Sequence, residues 1–331
     1  MRDKGEEIIM RLSALLPFMA AAAMAVPVPA FTHDYPDRVI RLIAPVPPGG
    51  MNDTFGRIFA EKLSEILRQR VILENRPGAA GTVGARLVAN ADPDGYTLCW
   101  CQSGSLTLQH QLMAEAPYDP LKDFEPITRL WDLNLILTST QKTAKNFDDF
   151  LRVGQIGQTP LTYGSAGVGS LHQLVMELAQ DELSIKLTHV PYAGDAQQIT
   201  DLMSGKIELA TLSPMAANGL RHEQNVVFLA SLGPERSPLF PDTLSLVERG
   251  YEDVHVTSWL GVVAPAQTPS WIVERLNAAL QEAMKDPAVL ERMRIAGIKP
   301  TPDVSPDDLK AFIQQEIDRL ASLIKKSKGD N

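Results

Sequence analysis

Pro45-Val46-Pro47-Pro48-Gly49-Gly50-Met51-Asn52-Asp53 follows the apolar run Val39-Ile40-Arg41-Leu42-Ile43-Ala44. It precedes Phe55, Ile58, Phe59, Leu63, Ile66 and Leu67, which keep helical spacing. The pattern predicts a strand, a glycine turn and an amphipathic helix. Adjacent glycines let the backbone turn through conformations closed to residues with a Cβ. They also leave amide N–H groups bare at a helix start, where the unpaired donors and the helix dipole both favour an anion. Taken alone, the segment is equally a plain strand-to-helix turn with Asp53 as its cap.

The design recurs further along. Leu161-Thr162-Tyr163 runs into Gly164-Ser165-Ala166-Gly167-Val168-Gly169-Ser170, and a helical pattern continues through Leu171, Leu174, Val175 and Leu178 with Ser170 as N-cap. Around these two units lie further strands: Val71–Leu73, Tyr96–Cys101, Leu187–Val190, Ile207–Leu212, Val226–Ala230 and Trp259–Pro265. Helices with clear starts at Thr268-Pro269, Asp286-Pro287 and Ser305-Pro306 close the chain. Strands alternating with helices predict parallel α/β sheets, whose ligands bind beyond the carboxyl ends of the strands. Gly49-Gly50 falls there, and so does Ser103-Gly104-Ser105 after the third strand. Two glycine loops facing each other would form a clamshell around one small ligand.

At 331 residues the chain has room for two domains. Its net charge of −9 argues against a nucleic-acid partner, which wants a basic face. Met10-Arg11, an apolar stretch from Leu12 to Val26, and Val28-Pro29-Ala30 form a secretory signal pattern, so cleavage is expected near Ala30 and the true start is read as Met10. Cys99 and Cys101 fall on one strand face, two residues apart, a poor arrangement for bridging each other, and are expected as buried small apolar residues.

Motif tests remove most chemistry. Gly164–Ser170 lacks the lysine of a phosphate-binding P-loop, the third glycine of a dinucleotide fingerprint, and the frame of a nucleophile elbow. What survives is an oxyanion cradle of consecutive amides and hydroxyls. No two of the six histidines have metal-ligand spacing, so neither a metal nor a cofactor is expected. His172, beside the cradle, is either a ligand contact or a helix-surface histidine. Trp100, Trp131, Trp259 and Trp271 are expected in core or hinge packing.

With these residues in hand, the chain resembles the extracytoplasmic solute receptors of tripartite tricarboxylate transporters, the Bug family. The resemblance rests on Pro45–Asp53, Glu74-Asn75-Arg76-Pro77-Gly78-Ala79-Ala80-Gly81, Pro93–Leu98, Gly164–Ser170, Val190-Pro191-Tyr192-Ala193-Gly194 and Trp259 with Ala264-Pro265, in that order. It implies a two-lobed periplasmic binding protein (type II-like), closing on a small organic carboxylate and handing it to a membrane transporter. It implies no catalysis. Carried over by position, the ligand-binding residues are Pro48, Gly49, Gly50 and Asp53 in the first loop, and Ser165, Gly167, Val168, Gly169 and Ser170 in the second. Tyr192, Ala193, Gly194 and Ser213 add to the second wall, and Ser103 lies after the third strand. Lobe 1 is expected over 31–140 and 257–331, lobe 2 over 141–256, with hinge strands near 133–140 and 254–260. A monomer is expected.

This chain departs from the family pattern at Gln173, where histidine is usual, and at Leu212 and Leu244. Leu212 and the Cys99–Cys101 strand lead to the expectation of a less polar distal pocket, suited to an aromatic or longer aliphatic acid. A periplasmic hydrolase or transferase on the same fold is the competing class, with Ser170 and His172 as its one candidate pair. A ligand-dependent sensor or scaffold is the third.

Overall fold

Eleven strands build two sheets among the described residues of the computed structural model, 35–113 and 115–327. The expected signal, 1–30, lies outside them. The strands are β1 (Ile40–Ala44), β2 (Val71–Asn75), β3 (Thr97–Gln102), β4 (Phe124–Leu133), β5 (Ile136–Thr140) and β6 (Leu161–Ser165). They continue as β7 (Leu187–Pro191), β8 (Leu209–Leu212), β9 (Val226–Ser231), β10 (Ser258–Pro265) and β11 (Lys299–Pro300). One sheet has the order β11-β4-β10-β3-β1-β2, the other β7-β6-β8-β5-β9.

The sheets are mixed rather than parallel. β1 lies parallel to β2 and β3, and β6 parallel to β7 and β8. β10 returns from the second sheet and inserts antiparallel between β3 and β4, while β5 runs antiparallel to β8 and β9. Strand–helix–strand units impose parallel pairing only where a helix crosses back, and neither β5 nor β10 follows one. Because β5 pairs within the second sheet, the chain changes sheets at Asn134–Leu135, before the boundary expected at 140.

The helices are α1 (Met51–Leu67), α2 (Thr82–Ala89), α3 (Gln109–Leu112), α4 (Phe147–Ile156) and α5 (Leu171–Glu182). They continue as α6 (Asp195–Ser204), α7 (Pro214–Asn218), α8 (Ser270–Met284), α9 (Pro287–Ala296) and α10 (Pro306–Ser327). The apolar stripe of α1 buries Phe55, Phe59 and Leu63 against the first sheet. There Phe59, Trp100 and Trp131 pack with ring centroids 5.2–5.9 Å apart. Each such aromatic contributes about 1.5–3 kcal/mol by leaving water. Trp259 is buried against Phe312 of α10, whereas Trp271 is 40% exposed and outside the expected core. Asp286 caps α9 through the amides of Ala288 and Val289, and Gly297 ends it at φ 70°.

The two chain crossings lie side by side. Leu232 donates its N–H to Leu135 O at 2.8 Å, and Val256 donates to Leu232 O at 3.0 Å. Gly233 fits here because a Cβ would fall 2.0 Å from the Asn134 side chain.

One cysteine expectation is overturned. Cys99 and Cys101 form a disulfide, with Cα atoms 5.2 Å apart, inside the bridging range. The strand is drawn in locally, which the ideal strand spacing behind the expectation did not allow for. Both residues are fully buried, as expected.

Candidate functional site

β3 leads, after Ser103, into a π-helical turn, Gly104–Leu108, and then α3. Turns of this kind occur often at functional sites. This one borders a cleft of about 380 Å³ lined from both sheets. One side is made by Pro45–Pro47, Pro77–Gly81, Gln102–Ser105 and Gln109; the other by Ala166, Gly167, Ser170–His172, Tyr192 and Ala193, with Ser258 at the crossing. No lysine, arginine, aspartate or glutamate is among these lining residues. Any anion held here must therefore be met by amides, hydroxyls and dipoles.

Of the expected site residues, Ser103, Gly167, Ser170, Tyr192 and Ala193 line the cleft. Pro48, Gly49, Gly50, Asp53, Ser165, Val168, Gly169, Gly194 and Ser213 lie outside its lining, each for a visible reason or an evident alternative placement. Asp53 is 5% exposed because it is tied into its own loop. Its carboxylate accepts from Gly49 N–H at 2.9 Å, from Asn75 Nδ2 at 2.9 Å and from Arg57 at 2.9 Å. Burial alone would raise its pKa, but those bonds and the Arg57 charge hold it below the usual carboxylate range. Pro48, Gly49 and Gly50 are exposed, and a Cβ on either glycine would meet open space. Gly194 and Ser213 cap α6 and α7, and the Ser213 hydroxyl donates to Asp195 at 2.5 Å. Val168 is 69% exposed.

In the second loop the glycine amides are also used internally. Gly167 N–H donates to Ser165 Oγ at 3.1 Å and Gly169 N–H to Gln173 Oε1 at 2.7 Å. Ser170 caps α5 by accepting from Gln173 N–H. The next amides, of Leu171 and His172, open the helix, where no intrahelical acceptor exists, and both residues line the cleft. The carbonyl of Gly169 accepts from the Gln109 side-chain amide, so the two walls are bonded to each other.

Two features escaped the sequence reading. Ala79 and Ala80 stand at φ 43° and 49°, between Gly78 and Gly81 at 138° and 97°. Left-handed alanines cost about 1–2 kcal/mol each, a strain typical of functional loops. In the sequence Pro77–Gly81 counted only towards the family resemblance and supplied no site residue, although Gly-Ala-Ala-Gly after a strand was the available signal. The second is Ser165 Oγ, 2.5 Å from His189 Nε2, a serine–histidine pair 24 residues apart and invisible to local motifs. Ser165 has no exposed surface and is not in the cleft lining, so its hydroxyl cannot reach a substrate there. Leu212, Cys99 and Cys101 are fully buried core, which removes the reason given for a less polar distal pocket.

The model of the tripartite tricarboxylate transporter family receptors matches residues 55–328. The chain is 33% identical over 315 residues to the protein BugT of Bordetella pertussis, covering 94% of this chain and 95% of that one. Among solved structures, the periplasmic binding protein BugD aligns with a TM-score of 0.81 at 28% identity, covering 89% of this chain and 99% of BugD. MatC from Rhodopseudomonas palustris, with bound malate, aligns at 0.80 and 28% identity over 88% of this chain and all of MatC. A second R. palustris protein, with adipate, aligns at 0.81 and 28% identity over 89% of this chain and 98% of its own. The chain belongs to the tripartite tricarboxylate transporter receptor family, and its fold is that of the two-sheet periplasmic binding proteins. Among the described residues no helix is long and apolar enough to cross a membrane.

Proposed function

We propose that this protein is a periplasmic receptor that captures a small organic carboxylate in the cleft and delivers it to a tripartite tricarboxylate-type membrane transporter. Malate and adipate in two structural relatives support the carboxylate class. The observation that carries the reading is the cleft itself, lined from both sheets, without a charged side chain, and with the start of α5 in its wall. A carboxylate at a helix start is stabilised by the unpaired amides and the dipole together. Within this reading the two sheets with their helices are two lobes, hinged at Asn134–Leu135 and Val256–Thr257. The ligand contacts run from Ala166 through Gly167 to His172 on one side and from Pro77 to Gly81, with Ser103, on the other. Tyr192 and Ala193 close the second wall. A receptor rather than an enzyme is supported by the family match and by the placement of Ser165, whose hydroxyl meets His189 but has no exposed surface.

A thermal-shift screen of the chain from about Phe31 against mono-, di- and tricarboxylates and aromatic acids tests this. An acid at a hundred times its dissociation constant adds about 2.7 kcal/mol. At roughly 2–4 °C per kcal/mol that gives a clear rise in melting temperature. Absence of any shift after refolding from denaturant, which removes a carried-over ligand, would contradict the receptor reading.

A further inference from the structure

The hydrogen bonds around His172 decide which of its ring nitrogens carries the proton. Nδ1 lies 2.9 Å from Thr211 Oγ1 and 3.1 Å from Thr211 O. The Thr211 hydroxyl has a single proton, and it is 2.8 Å from the carbonyl of Gly164, which can only accept. Thr211 Oγ1 and Thr211 O therefore both face Nδ1 as acceptors, and the proton between them belongs to the imidazole. Burial holds the ring neutral against the opposing pull of Asp195, the nearby negative charge. A neutral imidazole protonated on Nδ1 has a bare lone pair on Nε2. His172 lines the cleft and is half-buried.

Three hydroxyls of the cleft have committed their protons elsewhere. Ser105 donates to Gln102 O at 2.8 Å, Ser170 to Gly167 O at 2.7 Å and Tyr192 to Asp201 at 2.9 Å. The Gln109 amide donates to Gly169 O. What the hydroxyls of Ser105, Ser170 and Tyr192 turn towards a ligand is acceptor capacity, and the imidazole of His172 is a stronger acceptor than any of them.

We propose that His172 is a specificity-determining residue whose Nε2 accepts a hydrogen bond from the ligand, so that the preferred ligand is a carboxylate bearing a hydroxyl or N–H group. The proposal rests on the carboxylate-receptor reading and sharpens its substrate class. The carboxylate is met by amides at the start of α5, and the donor group by the imidazole. A carboxylate of the same shape without the donor leaves Nε2 desolvated and unpaired. A site built around such a bond rejects the analogue lacking it.

The test uses matched acids on the full mature chain by calorimetry: malate against succinate, lactate against propionate, and 4-hydroxybenzoate against benzoate. In the pair that binds, the hydroxylated acid is expected to bind roughly ten- to a hundredfold more tightly, and His172→Phe is expected to bring the ratio close to one while the deoxy acid still binds. A ratio near one in the unaltered protein, or one unchanged in His172→Phe, overturns the proposal and leaves the receptor reading standing. If none of these acids binds, the matched pair is built on the acid found in the thermal-shift screen, and absence of any binder there overturns both. Should His172→Phe fail to fold, long-range proton–nitrogen NMR of the unaltered protein reads the tautomer directly. Protonated Nδ1 with bare Nε2 is expected, and an Nε2-protonated ring overturns the proposal.

Discussion

The junctions at 44–53 and 164–171 have the same local sequence logic and opposite fates. Each runs from a strand through glycines into a helix. In the first, Asp53 sits in the opening turn and takes Gly49 N–H, Asn75 and Arg57 for itself, so the loop is closed around its own carboxylate. In the second, the first turn of α5 has no acidic residue, and the cap is the neutral Ser170. There Gly169 N–H goes to the neutral Gln173 side chain, and Leu171 and His172 at the helix start line the cleft. Both loops thus tie a glycine amide to a side chain in the helix's first turn, a carboxylate in the first and a neutral amide in the second. Only the second leaves its helix start free of a fixed negative charge. A single carboxylate three residues into the helix makes the difference.

The largest effect expected from breaking this comparison comes from Gly169. It stands at φ 74°, and a Cβ there would fall 2.9 Å from Gln109 Nε2. Gly169→Val should weaken binding of the acid found in the screen by more than tenfold, given left-handed strain of about 1–2 kcal/mol for ordinary residues and more for a branched one. Gly50, at φ −83° with open space around it, is the matching control. Gly50→Val should leave the dissociation constant within about threefold while costing about 1 kcal/mol of stability at the helix cap. Equal losses in calorimetry would mean that the loops are equivalent after all.

Asp53→Asn comes next, with its effect in stability rather than binding. Replacing a buried carboxylate that accepts several bonds should cost roughly 1–3 kcal/mol at pH 7. The folded-state pKa of Asp53 is lowered, so its contribution is present above the unfolded-state value of 3.8 and is lost as pH falls through the lower folded value. The unaltered and variant chains should therefore differ in denaturant midpoint at pH 7 and converge in strong acid. A constant difference across that range would show that the charge of Asp53 is not what holds the loop.

Gln109→Ala removes the bond that joins the walls. At about 0.5–1.5 kcal/mol for one hydrogen bond, the acid should bind roughly two- to tenfold more weakly, through faster dissociation. The smallest effect on binding belongs to Cys99→Ala with Cys101→Ala. Both side chains are outside the cleft, so affinity should not change, and stability should fall by about 1–2 kcal/mol for so short a loop.

β4, β5 and β11 were not legible in local pattern, whereas the other eight of the eleven strands and the helix starts at Asp286-Pro287 and Ser305-Pro306 were. So was the second glycine loop, because Ser170 and the apolar spacing after it define a helix start without outside help. The insertion of β10 between β3 and β4 was not, since antiparallel pairing between segments so distant in sequence leaves no local mark. Site residues divided on the same ground. Gly167, Ser170, Tyr192 and Ala193 line the cleft through their own segments, whereas the exclusion of Gly49 and Gly50 depends on Asn75 and Arg57 completing the knot around Asp53. The lining by Gln109 and Ala79–Gly81 depends on how separate loops meet, and so does the tautomer of His172, which is set by Thr211, 39 residues away.

The most direct measurement is a backbone amide NMR titration of the mature protein with the acid that gives the largest thermal shift. The account predicts large changes at Ala166–His172 and Gly78–Gly81 and small ones at Gly49–Asp53. Changes centred on Gly49–Asp53, with the start of α5 undisturbed, would contradict it.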